Sequence, residues 1–261
     1  MLSGFRKGYD EKEIVDLFNS AIDSQTRILL LSHIPYLGGK LPIADIIDGA
    51  KKRNRKIYCV VDGAHALGQI RIDAKEIDCD FYGVGAHKFC LGLPTLGALY
   101  AKREYLSELS SDGESLPVFD CYSAPEAFRP NEELGTISGT ALVAFNEAYD
   151  LLFRGYGIDN IQTRISMLAK YFVECVQQNP KISMISPSSP KMLCGVQSIG
   201  LKDIDSYEGY AKLARILESK YRIICKAMSR PPCIRICLHY FSTENDILRL
   251  FGALNNQPRH D

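Results

Sequence analysis

Ile57-Tyr-Cys-Val-Val-Asp62-Gly-Ala-His-Ala-Leu-Gly68 is the stretch on which the reading of this chain turns. Its opening run is apolar without interruption, as expected of a strand buried in a parallel sheet. The run ends on a carboxylate, Asp62, and Gly63 then opens a turn. A second stretch, Cys79-Asp-Phe-Tyr-Gly-Val-Gly-Ala-His-Lys88, ends on a lysine 26 residues after Asp62. A carboxylate at the end of one strand and a lysine just past the next are what a pyridoxal phosphate (PLP) site requires. The lysine bonds to the cofactor's aldehyde carbon, and the carboxylate keeps the ring nitrogen protonated so that the ring accepts electrons.

The flanking segments continue an alternation of strand and helix. Glu11 to Asp23 carries Ile14, Val15, Leu17, Phe18, Ala21 and Ile22 at a helical period. Ile28 to Ser32 reads as a buried strand, and Pro42 to Lys52 as a helix with proline in its first turn. Gly97 to Ala101 reads as a further strand, Ser107 to Asn131 as a surface loop, Ala141 to Phe153 as a helix, and Gly157 to Gln178 as a long helical connector. Pro187 and Pro190 mark a boundary. Beyond it the spacing predicts strands over Cys194 to Ile199, Arg222 to Lys226 and Ile234 to Leu238. Helices are expected over Tyr207 to Lys220 and Thr243 to Leu254, the last capped by Ser242 or Thr243. The expected fold class is α/β: a large domain with a mainly parallel sheet over 1–185, then a small α+β domain over 186–261.

Composition narrows the function. Of 261 residues, 46% are apolar, enough for a core, and 31 basic residues balance 31 acidic ones. That balance gives no electrostatic case for nucleic acid or an anionic membrane. The apolar runs are too short to span a bilayer, and Met1 to Gly8 lacks the apolar stretch of a signal peptide. Nine cysteines without a regular framework read as reduced thiols in a cytoplasmic setting. Cys233 and Cys237 lack a second ligand pair, so no metal site is expected.

Taken in order, Leu31-Ser-His33, Val61 to Gly68, Cys79 to Tyr82, His87-Lys88, Gly97 to Tyr100, Gly135-Thr136 and Ile234-Arg-Ile-Cys237 give the chain a resemblance to the class V aminotransferase family. That family of PLP enzymes of fold type I includes cysteine desulfurases, selenocysteine lyases, isopenicillin N epimerase-like proteins and sulfoxide lyases. The resemblance implies that Lys88 is the covalent lysine and Asp62 the partner of the ring nitrogen. It places His65 near the cofactor's phenolic oxygen and His87 near its phosphate. Thr136 would reach the phosphate of a partner subunit in a homodimer, with Thr140 as a rival. Arg235 would take the α-carboxylate of an amino-acid substrate, its planar fork matching a carboxylate.

The pattern also departs from the family. Gly85 stands where a small hydroxylated residue usually contacts the phosphate. The family's long N-terminal segment, with its first strands and the aromatic residue that stacks on the cofactor, has no match here, so an N-terminally incomplete large domain is expected. Lys226 to Cys233 fills the place of the desulfurase cysteine loop, and Cys233 lies too close to Arg235 to serve as its nucleophile. The expected function is a lyase or epimerase-like PLP enzyme. The alternative is a catalytically inactive family member acting as a binding or structural subunit; a nucleotide-binding α/β protein is a weaker reading, because the third glycine and the downstream acidic residue that Gly83-Val-Gly85 would need are not correctly placed.

Overall fold

The apolar runs lie side by side as parallel strands. The computed structural model describes residues 10–94, 96–105 and 138–256. Strands β1 (Ile28–Ser32), β2 (Tyr58–Asp62) and β3 (Phe81–Gly85) pair in parallel, and β4 (Gly97–Ala101) runs antiparallel to β3 at the edge, giving the order β1-β2-β3-β4. Helix α1 (Glu11–Ser20) starts with a reciprocal capping box between Asp10 and Glu13. With α2 (Ile43–Arg53) it covers one face of this sheet, so that Ile14, Ile46 and Ile47 pack among Leu31, Val61 and Tyr82.

Among the described residues the other face is open. Ile28 and Leu30 are 63% and 69% exposed, although a parallel sheet ordinarily buries both faces. Leu30, Val60, Asp62, Ala64, Gly83 and Leu99 line a shallow depression of about 440 Å³ on it.

A buried carboxylate ties this sheet together. Asp80 is 2% exposed and accepts the Cys59 N–H at 2.7 Å. Lys102, just past β4, and Lys51, on α2, approach it at 3.1 and 3.5 Å. Asp78 binds the same two ammonium groups at 2.6 and 2.9 Å. The Lys102 hydrogen bond and the Lys51 charge hold the Asp78 carboxyl below its ordinary range. The short α3 (Ala74–Ile77) links β2 to β3.

The second half begins with α4 (Gly139–Tyr149), which a seven-residue π-helical stretch, Asp150–Tyr156, extends. The π turn shifts the phase of the expected single helix and brings Leu152 to full burial. Gly157, at φ +81°, then breaks the chain before α5 (Ile158–Gln177). Four antiparallel strands form the second sheet: β5 (Ile182–Met184), β6 (Val196–Leu201), β7 (Lys226–Ser229) and β8 (Pro232–Cys237), in the order β5-β6-β8-β7. Phe172 of α5, Leu217 of α6 (Tyr207–Tyr221) and Phe251 of α7 (Glu244–Asn255) share a core with Ile199 and Ile234.

Some local expectations shift. The sequence reading leaves Ile182 to Met184 without an element, yet they form the edge strand of the second sheet. Arg222 is the left-handed C-cap of α6, so the strand expected from it starts at Lys226. Ser138 caps α4, and Thr140 sits inside the helix. Thr243 is the cap of α7, with Asp246 completing the box. The loop expected over Ser107 to Asn131 lies outside the described residues, as does Thr136.

Candidate active site

Asp62 is the last residue of β2 and lies opposite Gly83 of β3. Its carboxylate is exposed on the open side of the sheet. One oxygen accepts the Ala64 N–H at 2.9 Å, and the other is met by the Ser32 hydroxyl at only 3.5 Å. An acceptor-only group with free lone pairs thus stands at the strand ends, where α/β sheets bind ligands. Lys88 follows β3 by three residues and is exposed, as is His87. The His87 ring folds back over Gly85, whose missing Cβ would stand 3.3 Å from it. Here the glycine makes room for the imidazole that a larger residue would displace.

Beneath Asp62 lies a neutral polar pair. His33 Nδ1 and Tyr82 Oη are 2.6 Å apart and buried, and the His33 backbone N–H donates to the Asp62 carbonyl at 2.9 Å. Burial, and secondarily Lys40, lowers the His33 pKa to about 4, while burial pushes the Tyr82 phenol far upward. Both groups are therefore uncharged near neutrality. The linkage has a definite sign: between pH 6.5 and 4 the unfolded chain protonates His33 and the folded chain does not. Stability from this residue is complete above pH 6.5 and falls by about 3 kcal/mol down to pH 4. Urea unfolding from pH 7 to pH 4 should show this loss, and His33→Asn should shrink it; an equal loss in the variant would refute the assignment.

His65 joins the two halves electrostatically. Burial lowers its pKa first, and the charges of Lys88 and then Arg235 lower it further, with Asp62 opposing them. Arg235, on β8, donates to the Tyr36 carbonyl at 3.2 Å, while its Nε is shielded from water and unpaired. Cys237 is two residues along the same strand and shares its face. Desolvation raises its thiol pKa, and Arg235 and Lys88 pull it down. Cys233 is fully buried, with a thiol pushed up to about 11.

Sequence reasoning missed Ser32, Tyr36, Gln69 and His239 as contacts of this region. Only Gln69 left a trace, an uncharged polar residue among the apolar ones after Asp62. Among the described residues no group of three or more His, Cys, Asp or Glu side chains is placed to hold a metal ion.

Residues 9–250 match the family described as aminotransferase class-V. The chain belongs to this family. Isopenicillin N epimerase of Streptomyces clavuligerus is 28% identical over 263 residues, covering 94% of this chain and 64% of the relative. Cysteine desulfurase of Cronobacter sakazakii is 28% identical over 92% of this chain and 60% of its own length. The chain thus spans less than two thirds of these relatives.

A cystine C–S lyase, C-DES, in complex with cysteine persulfide superposes with a TM-score of 0.76 at 21% identity, covering 98% of this chain and 67% of the lyase. Cysteine desulfurase CsdA of Escherichia coli gives 0.72 at 22% identity, over 93% and 62%. These likenesses show the fold, that of PLP enzymes of fold type I, of which the chain contains part.

PLP is the cofactor of the class-V aminotransferases, and a C-DES variant holds glycine covalently linked to it. The residues here fit that group. Asp62 offers an exposed carboxylate at the end of β2, Lys88 an exposed amine just past the neighbouring β3, and Arg235 an Nε without a partner.

Proposed function

We propose that this class-V aminotransferase-family protein is a PLP-dependent lyase or epimerase-like enzyme acting on an amino acid. When bound, PLP supplies an electron-accepting ring that weakens bonds at the substrate Cα. Lys88 anchors the cofactor and, once displaced, moves a proton at that carbon through its Nζ. Asp62 holds the proton on the ring nitrogen. His65, kept neutral by burial and its cationic neighbours, offers a hydrogen bond to the phenolic oxygen, and His87 reaches towards the phosphate. Arg235 orients the substrate by its carboxylate, using hydrogen-bonding capacity that its Nε leaves unspent. The observation that supports this reading is that Asp62 closes β2 opposite Gly83 of β3, while Lys88 follows the end of that adjacent strand by three residues.

The cysteines favour chemistry without a cysteine nucleophile. Seven of the eight described thiols are buried or half-buried and are held above their ordinary pKa mainly by that burial; Cys237 is exposed on the strand that carries Arg235. β-Elimination with C–S cleavage and epimerisation both fit such a site. All eight are free, which suits a reducing compartment such as the cytoplasm, and no described helix is long and apolar enough to cross a membrane. A homodimer, in which Thr136 reaches the partner's phosphate, belongs to the same proposal.

A second reading is a catalytically inactive binding or structural subunit. The open sheet face beside Asp62 favours it. One experiment separates the two: purified protein is mixed with PLP, reduced with borohydride and digested. The enzyme reading expects the pyridoxyl group on the peptide containing Lys88. Absence of modification there, or equal labelling of many lysines, removes that reading.

A further inference from the structure

The turn after Asp62 and the chain after Lys88 are each tied to the second half of the protein by one side chain that the chemistry above does not use. Gln69 is fully buried. Its amide nitrogen donates to the His65 carbonyl, and its oxygen accepts the Gly195 N–H at 2.8 Å, immediately before β6. Gly195 in turn accepts the Leu238 N–H at 2.7 Å, at the end of β8. No side chain fits at Gly195: a Cβ would lie 2.3 Å from the Leu238 oxygen and 2.9 Å from the Phe89 ring.

His239 closes the other side. Its Nδ1 accepts the Tyr240 N–H at 3.0 Å, which leaves the ring proton on Nε2, 3.0 Å from the Phe89 carbonyl. The imidazole also stacks between Phe89 and Phe241, at 5.2 and 4.3 Å between ring centres. Phe89 directly follows Lys88, and His239 lies four residues beyond Arg235. Gly68, at φ +87°, lets the neighbouring turn approach Phe89 and Cys90 with no Cβ in the way.

We propose that Gln69 and His239 form a clamp between the two sheets that fixes Lys88 relative to Arg235. They are positioning residues: neither reaches the reacting atoms, and both act through the backbone of His65, Phe89 and Gly195. Two hydrogen bonds to backbone groups resist a slide of one sheet past the other, which stacking alone permits. The inference rests on the proposed roles of Lys88 and Arg235. Its physical basis is that a displacement of about 1 Å between reacting groups costs on the order of 10²-fold in rate.

The test uses His239→Phe, which keeps the stack and loses both ring nitrogens, and His239→Gln, which can still donate to the Phe89 carbonyl. Without cofactor, amide hydrogen exchange over residues 86–92 is expected to quicken in H239F and to return towards the parent in H239Q. With PLP and glycine as the probe amino acid, kcat for α-proton exchange in heavy water is expected to fall about tenfold to a hundredfold in H239F. KM should change less, borohydride trapping at Lys88 should stay as in the parent, and H239Q should recover most of the rate. Parent-like amide exchange in H239F overturns the clamp, and so does an H239Q variant as impaired as H239F, which would leave packing as the only role. Failure of the Lys88 reading is distinct: the parent itself then traps no PLP at Lys88, while the exchange measurement still decides whether the clamp exists.

Discussion

Alanine at position 88 is expected to abolish borohydride-stable attachment of PLP at that position and to lower α-proton exchange of a bound amino acid by roughly 10³-fold or more. The side chain is exposed and makes no described contact that the fold needs; the loop is held by backbone, as in the Leu91 N–H to Lys88 carbonyl bond at 3.1 Å. Thermal unfolding of Lys88→Ala should therefore match the parent while the covalent label disappears. That combination separates loss of a reacting group from loss of structure. Undiminished labelling of the variant, on any single lysine, would show that another amine carries the cofactor.

The second large effect concerns stability. Asp80→Ala should cost about 3–5 kcal/mol, because it leaves the Cys59 N–H without its acceptor and strands part of the charge of Lys51 and Lys102. Asp78 remains to receive both ammonium groups, but it is exposed and cannot reproduce a 2%-exposed anchor joining β2, β3, β4 and α2. Against a total stability of about 5–15 kcal/mol, a large share is lost. Urea titration measures it directly, and a change below about 1 kcal/mol would mean that the cluster is solvated rather than structural.

Much of this was legible because burial writes itself as apolar runs. Ile28 to Ser32 and Ile57 to Val61 are strands as their apolar runs suggest, although the first buries only Leu29 and Leu31, and Asp62 is visible because a carboxylate interrupts such a run. What escaped depends on partners distant in sequence. Ile182 to Met184 is too short to show a period, and it becomes a strand only by pairing with β6. The π turn at Asp150–Tyr156 leaves no compositional mark distinct from an α-helix. Gln69 and His239 look like ordinary polar residues until Gly195 and Phe89 are brought against them.

The uncovered side of the first sheet has a thermal consequence. Ile28, Leu30 and Leu99 present hydrocarbon directly to water, and the drive to remove such surface is entropic near room temperature and weakens on cooling. The protein should thus be least adhesive in the cold and grow stickier as it is warmed towards body heat, well before any strand comes apart.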